Sequence, residues 1–218
     1  MLTRLKICGI VTLDDAKMCV EMGVDMLGFN FFPGSPRFVT MHTARQIINE
    51  LPIWMEAVAI LVRPTLEQVQ DVIHKSKVNA VQIYQPIDFT DLSLIGIPVF
   101  AAFSIRELEQ INSYYYKESD MFLLDNSTAK ISGGTGQTFN WRQIPPEIPK
   151  KKLILAGGIN TQNIDQALKQ VQPAIIDVAS GSESLPAQKD KKKVHKLVQK
   201  VLYHNINQLK TWIQDPES

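Results

Sequence analysis

Two side chains in this sequence stand where they could exchange protons with a small molecule: Cys8 and Asp125. Asp125 follows the apolar run Met121-Phe122-Leu123-Leu124. A carboxyl desolvated by such neighbours rises in pKa and suits a general acid, although the same aspartate could instead brace the turn at Asn126-Ser127. Cys8 precedes Gly9 at the end of another apolar run. Position alone leaves it as either a small buried hydrophobe or a thiol that titrates near bound phosphate or arginine. Cys19 falls on the inner face of a predicted helix and is assigned to core packing. Gly157-Gly158 and Ser180-Gly181 each follow a short apolar run, and glycine lets backbone N–H groups close around an anion. As a pair they read as a phosphate grip. Arg37, after Pro33-Gly34-Ser35-Pro36, has the planar fork that takes a carboxylate bidentately; its alternative is a plain surface arginine in a proline-bounded loop. Ser132-Gly133-Gly134-Thr135-Gly136 suits a lid over whatever is bound.

These candidates need elements that bring them to one place. Apolar runs over 5–8, 26–31, 57–62, 80–84, 99–103, 121–124, 153–156 and 174–178 read as strands, several of them continuous enough for burial on both faces. Helical patterns lie between them, over 13–22 with Thr12 as N-cap, 41–51, 66–74, 105–115 and 164–171. Eight strand–helix units predict an α/β fold, a single (β/α)8 TIM barrel spanning residues 1–218. A doubly wound sheet is disfavoured, because Gly9-Ile10-Val11-Thr12 after the first strand lacks the dinucleotide fingerprint. In a barrel, the strands' C-terminal ends and the loops after them form the active site, and every candidate above lies there. A long C-terminal helix is expected from about residue 190, with Val194, Leu197, Val198, Val201, Leu202 and Leu209 against the barrel wall and Lys191–Lys193 on its solvated face.

The chain has 218 residues, 44% hydrophobic and 21% charged, with a formal net charge of +1. Near neutrality gives no reason to expect nucleic acid or an anionic membrane as partner, so a bound anion must be caught by local geometry. Two cysteines make no disulfide framework, and no Cys or His pair has metal-ligand spacing. The N-terminus lacks a signal-peptide core, and the most apolar stretch, 54–62, is too short to span a bilayer. The expectation is a soluble cytoplasmic protein, monomer or homodimer, acting on a phosphorylated small molecule.

At these residues the chain resembles phosphoribosylanthranilate isomerases, the Amadori-rearrangement enzymes of tryptophan synthesis. The matching stretches are Lys6-Ile7-Cys8-Gly9-Ile10, Leu27-Gly28-Phe29 with Ser35-Pro36-Arg37, Leu123-Leu124-Asp125, Gly133-Gly134-Thr135-Gly136 with Thr138-Phe139 and Trp141, Ala156-Gly157-Gly158-Ile159-Asn160, and Asp177-Val178-Ala179-Ser180-Gly181 with Lys189-Asp190. The resemblance implies Cys8 as general base, Asp125 as general acid, Arg37 as binder of the anthranilate carboxylate, and phosphate on the backbone of Gly157-Gly158 and Ser180-Gly181. It implies no metal or organic cofactor. The chain departs from the family pattern at Asn30, Arg63, Tyr84, Ala101, Ser182 and Ala187. Tyr84 stands where the family usually has His, and Arg63 where it usually has Asn. These departures keep two other readings open: a barrel isomerase of another phosphorylated aminosugar, and a noncatalytic phosphate-ligand binder.

Overall fold

The computed structural model describes residues 1–84, 94–106, 119–126 and 138–214. Eight parallel strands close on themselves in sequence order. They are β1 (Arg4–Cys8), β2 (Met26–Asn30), β3 (Glu56–Val62), β4 (Ala80–Tyr84), β5 (Val99–Ser104), β6 (Met121–Asp125), β7 (Leu153–Leu155) and β8 (Ile175–Val178). Closure is made by β8 pairing with β1, with Ile7 opposite Val178. The expected (β/α)8 barrel is therefore the fold. A small antiparallel pair, β9 (Glu183–Leu185) with β10 (Gln188–Lys189), follows β8.

The helices start where their caps predict. α1 (Leu13–Glu21) begins after Thr12, whose side chain accepts from the Asp15 N–H. Thr40 does the same for α2 (Met41–Asn49). Thr65 and Gln68 form a reciprocal capping box on α3 (Leu66–Ser76). α4 (Ile164–Gln170) and α5 (Lys191–Gln214) complete the described helices. The predicted helix over 105–115 and the glycine-rich lid at 132–136 lie outside the described residues, apart from Ile105 and Arg106.

Pleating turns alternate strand residues inward. Met26, Val58, Phe100, Leu123, Ile154 and Ile175 form an inner apolar cluster, while a larger cluster joins the outer strand faces to the helices. One inward layer is polar. Lys6 is fully buried and donates from Nζ to Gln82 Oε1 at 2.7 Å and to Asp177 Oδ2 at 2.9 Å, linking β1 to β4 and β8. Burial alone would lower the Lys6 pKa, but the neighbouring negative groups, Asp177 foremost, raise it on balance.

Two expectations need correction. The sixth strand runs one residue beyond the expected 121–124, so Asp125, expected at a strand end, is the last residue of β6, paired with Ser104 of β5. On α5, Val194, Leu197, Val198 and Val201 are buried as expected, but Leu202 and Leu209 are 54% and 41% exposed. Leu202 sits about a quarter-turn round the helix from the centre of the buried stripe, and Leu209 lies about two turns past its last buried residue, Val201, where the barrel does not reach.

Candidate active site

The mouth formed by the strands' C-terminal ends collects the predicted side chains. Cys8 ends β1 with its thiol half-buried. Gly28 makes room for it: a Cβ on that glycine would lie 2.9 Å from Cys8 Sγ. Burial pushes the Cys8 thiol up, only partly opposed by Lys6 below it and by Lys189 and Arg37 beside it. Cys19 is buried on α1 and pushed by desolvation to about 12, in keeping with core packing.

Asp125 faces the same mouth from β6. Its Oδ2 accepts a hydrogen bond from the Tyr84 hydroxyl at 3.2 Å. A Cβ on Gly157 would meet its Oδ1 at 2.7 Å. The carboxyl thus lies between the β4 phenol and the bare backbone after β7. Burial first, then the Asp125 charge, hold the Tyr84 pKa well above its ordinary value, so the phenol keeps its proton and remains a donor. Charge coupling ties the centre together: Lys6 responds to both Cys8 and Asp125, and Tyr84 responds to both as well.

Arg37 is not a free surface arginine. Its Nε donates to Glu183 Oε1 at 2.8 Å and its Nη2 to Glu183 Oε2 at 2.6 Å. Lys189 Nζ completes the knot, donating to Glu183 Oε1 at 2.7 Å and to the Cys8 carbonyl at 2.6 Å. The Arg37 loop is set by Ser35, whose Oγ accepts from the Arg37 N–H at 3.1 Å and from Asn30 Nδ2 at 3.1 Å. Gly9 underlies the guanidinium stem, because a Cβ there would fall 2.4 Å from Arg37 Cδ. Arg37, the Cys8 backbone and the β9–β10 hairpin are therefore tied together by hydrogen bonds.

The two glycine segments also meet. Gly157 and Gly158 take φ values of +83° and +69°, in the left-handed region that favours glycine. The Gly158 carbonyl accepts from Asn160 Nδ2 and Asn163 Nδ2. Gly181 lies in a single 3-10 turn, Ser180–Ser182, and a Cβ on it would be 2.0 Å from the Ile159 carbonyl oxygen. Glycine at 181 is thus already demanded by packing of the β8 loop against the β7 loop.

Residue chemistry read along the sequence had not singled out Glu183, the Lys6–Gln82–Asp177 layer or the Tyr84–Asp125 contact. A signal existed for Lys6: a charge inside an apolar strand, two residues from Cys8 and so on the same pleat face. Nothing local pointed to Glu183, which is 146 positions from Arg37. Arg63, exposed after β3, holds a left-handed φ of +48° while its N–H bonds the Tyr84 carbonyl. Asn tolerates that conformation better than Arg, so the departure at this position carries a backbone cost.

Comparison with known proteins matches residues 5–200 to the family of N-(5'-phosphoribosyl)anthranilate isomerases. A relative with that name from Citrifermentans bemidjiense is 36% identical over 197 residues, covering 90% of this chain and 96% of its own. The crystal structure of the phosphoribosylanthranilate isomerase of Thermotoga maritima superposes with a TM-score of 0.82 at 33% identity, covering 93% of this chain and all of that one. An isomerase solved with reduced 1-(o-carboxyphenylamino)-1-deoxyribulose 5-phosphate gives 0.79 at 32% identity, with 93% and 100% covered. Family match, sequence relatives and closed barrel agree along nearly the whole length, and the chain belongs to the N-(5'-phosphoribosyl)anthranilate isomerase family.

Proposed function

We propose that this chain rearranges N-(5-phosphoribosyl)anthranilate to 1-(2-carboxyphenylamino)-1-deoxyribulose 5-phosphate, with Asp125 as general acid and Cys8 as general base. The observation that carries the roles is the placement of these two groups at the ends of β6 and β1, on one mouth beside the paired glycine loops. Asp125 gives its proton to the furanose ring oxygen. The bond from that oxygen to C1′ breaks as the nitrogen lone pair forms the C1′ iminium. Cys8, as thiolate, takes the C2′ proton, and the C–H electron pair flows into the iminium to give the enolamine. Loss of the C2′ hydroxyl proton and gain of a proton at C1′ complete the ketone. The iminium is the electron sink, so the scheme calls for no metal or organic cofactor.

Arg37 binds the anthranilate carboxylate in this scheme. Its Nε and Nη2 are held by Glu183, and Nη1 is the nitrogen we assign to the substrate. The backbone of Gly157, Gly158, Ser180 and Gly181 takes the phosphate, as bare N–H groups after the last two strands of such barrels commonly do. We treat residues 1–218 as one barrel unit acting in the cytoplasm, monomeric or homodimeric, with no nucleic-acid or membrane partner. No described helix is long and apolar enough to cross a membrane.

Loss of substrate fluorescence under purified protein tests the activity. Cys8→Ala and Asp125→Asn should each lower kcat by about 100-fold or more while far-ultraviolet circular dichroism stays unchanged. Full turnover in both variants would remove the assigned mechanism. Absence of turnover in the wild type, with the product still bound, would favour a noncatalytic binder.

A further inference from the structure

Helix α5 continues past the barrel. Its buried positions end at Val201. Asn205 then ties it to the start of β1, accepting from the Thr3 N–H at 2.9 Å and donating to the Thr3 carbonyl at 2.8 Å. The family match ends at residue 200, so the last turns of α5 lie outside the shared barrel. A second apolar stripe begins there, Leu202, Ile206, Leu209 and Ile213, with spacings of four, three and four. That is the seam pattern of two paired helices. These four are 54%, 48%, 41% and 71% exposed, and Tyr203 and Trp212 beside them are 69% and 59% exposed.

The order of these residues is palindromic. A two-fold axis between Asn207 and Gln208 sets Leu202 against Ile213 and Ile206 against Leu209 of an antiparallel copy, with Tyr203 and Trp212 flanking the seam on its two sides. Lys210 lies on the Tyr203 flank, beside the Tyr203 ring of the copy, and it is the one Lys, Arg, Asp or Glu in the segment. We propose that residues 202–213 pair with the same segment of a second chain, giving a two-fold homodimer with α5 against α5. A self-complementary patch is what an isologous interface requires. The four seam side chains with the near edges of Tyr203 and Trp212 would remove up to about 600 Å² from each partner, below the ~800 Å² of a standard stable interface. A bilayer is the poorer occupant, because helices lying on membranes carry a Lys/Arg-rich polar face and this segment has Lys210 alone. The Asn205–Thr3 tie holds the segment helical at its barrel end, reducing the order lost on pairing.

Sedimentation equilibrium of the full chain at tens of micromolar should give twice the chain mass. Ile206→Glu combined with Leu209→Glu should weaken association by about 100-fold or more, with unchanged circular dichroism and unchanged turnover. Direction is tested by cross-linking under oxidation. Leu202→Cys with Ile213→Cys in one chain should link two copies, whereas Leu202→Cys alone should not. A monomeric wild type, a dimer indifferent to the two glutamates, or self-linking of Leu202→Cys alone would each overturn the proposal. A monomer that co-sediments with phosphatidylglycerol vesicles would overturn it in favour of a bilayer.

Discussion

Glu183 sits between two cations, accepting both arms of the Arg37 fork and one bond from Lys189. Burial works to raise its pKa, but those bonds and charges together hold it below the usual carboxylate range. A group depressed in this way adds stability above its unfolded pKa and loses it as pH falls through the folded value. Glu183→Gln strands two buried cations and should cost about 3–5 kcal/mol in urea unfolding near neutrality, with the difference from wild type shrinking below about pH 4. KM should rise as Arg37 loses its orientation. Tyr84 makes a second residue-scale prediction. Its hydroxyl stabilises the charged form of Asp125, so Tyr84→Phe should move the kcat/KM limb that disappears in Asp125→Asn to higher pH, by about half to one unit. A pH profile identical to wild type would leave Tyr84 as packing only. Cys8 is shifted the other way: burial favours its protonated form, so the thiolate that the proposed base step needs becomes more abundant as pH rises.

Among the elements, the loops after β7 and β8 act as one piece. Gly157 fits against Asp125 and the Asn126 backbone, and Gly181 against the Ile159 carbonyl. One glycine set therefore shapes both the surroundings of Asp125 and the proposed phosphate grip. Gly181→Ala should force the loops apart, costing about 1–3 kcal/mol in stability and raising KM roughly tenfold, with a smaller fall in kcat. Equal falls in kcat and kcat/KM would place the defect on chemistry instead. The threonine caps explain why helix starts were readable: Thr12, Thr40 and Thr65 each bond a backbone N–H three residues on, an interaction wholly local in sequence. The β9–β10 hairpin had no comparable signal, being two very short strands whose value lies in carrying Glu183 and Lys189.

At the scale of the whole molecule, Lys6 spans the barrel interior, holding β1 to β4 and β8 through Gln82 and Asp177. Lys6→Met would leave Asp177 buried without its cation and should lower unfolding stability by about 3–5 kcal/mol, read by urea denaturation. Because the same lysine sits beneath both Cys8 and Asp125, the variant should also disturb the pH profile. The strand order, the barrel and the mouth that gathers Cys8, Asp125 and the paired glycines were determined by sequence alone, because strand periodicity, caps and strand-end position are local properties. Tertiary structure decided what those groups touch. Arg37 looked like a loop arginine until Glu183 closed its fork, and Asp125 looked solitary until Tyr84 reached it from 41 positions away. Likewise the apolar pattern of α5 announced a helix but not which turns the barrel would cover: Leu202 fell to one side of the buried stripe and Leu209 beyond its end. Partners remote in sequence leave no local pattern to read. Closing the barrel is what brings them into contact.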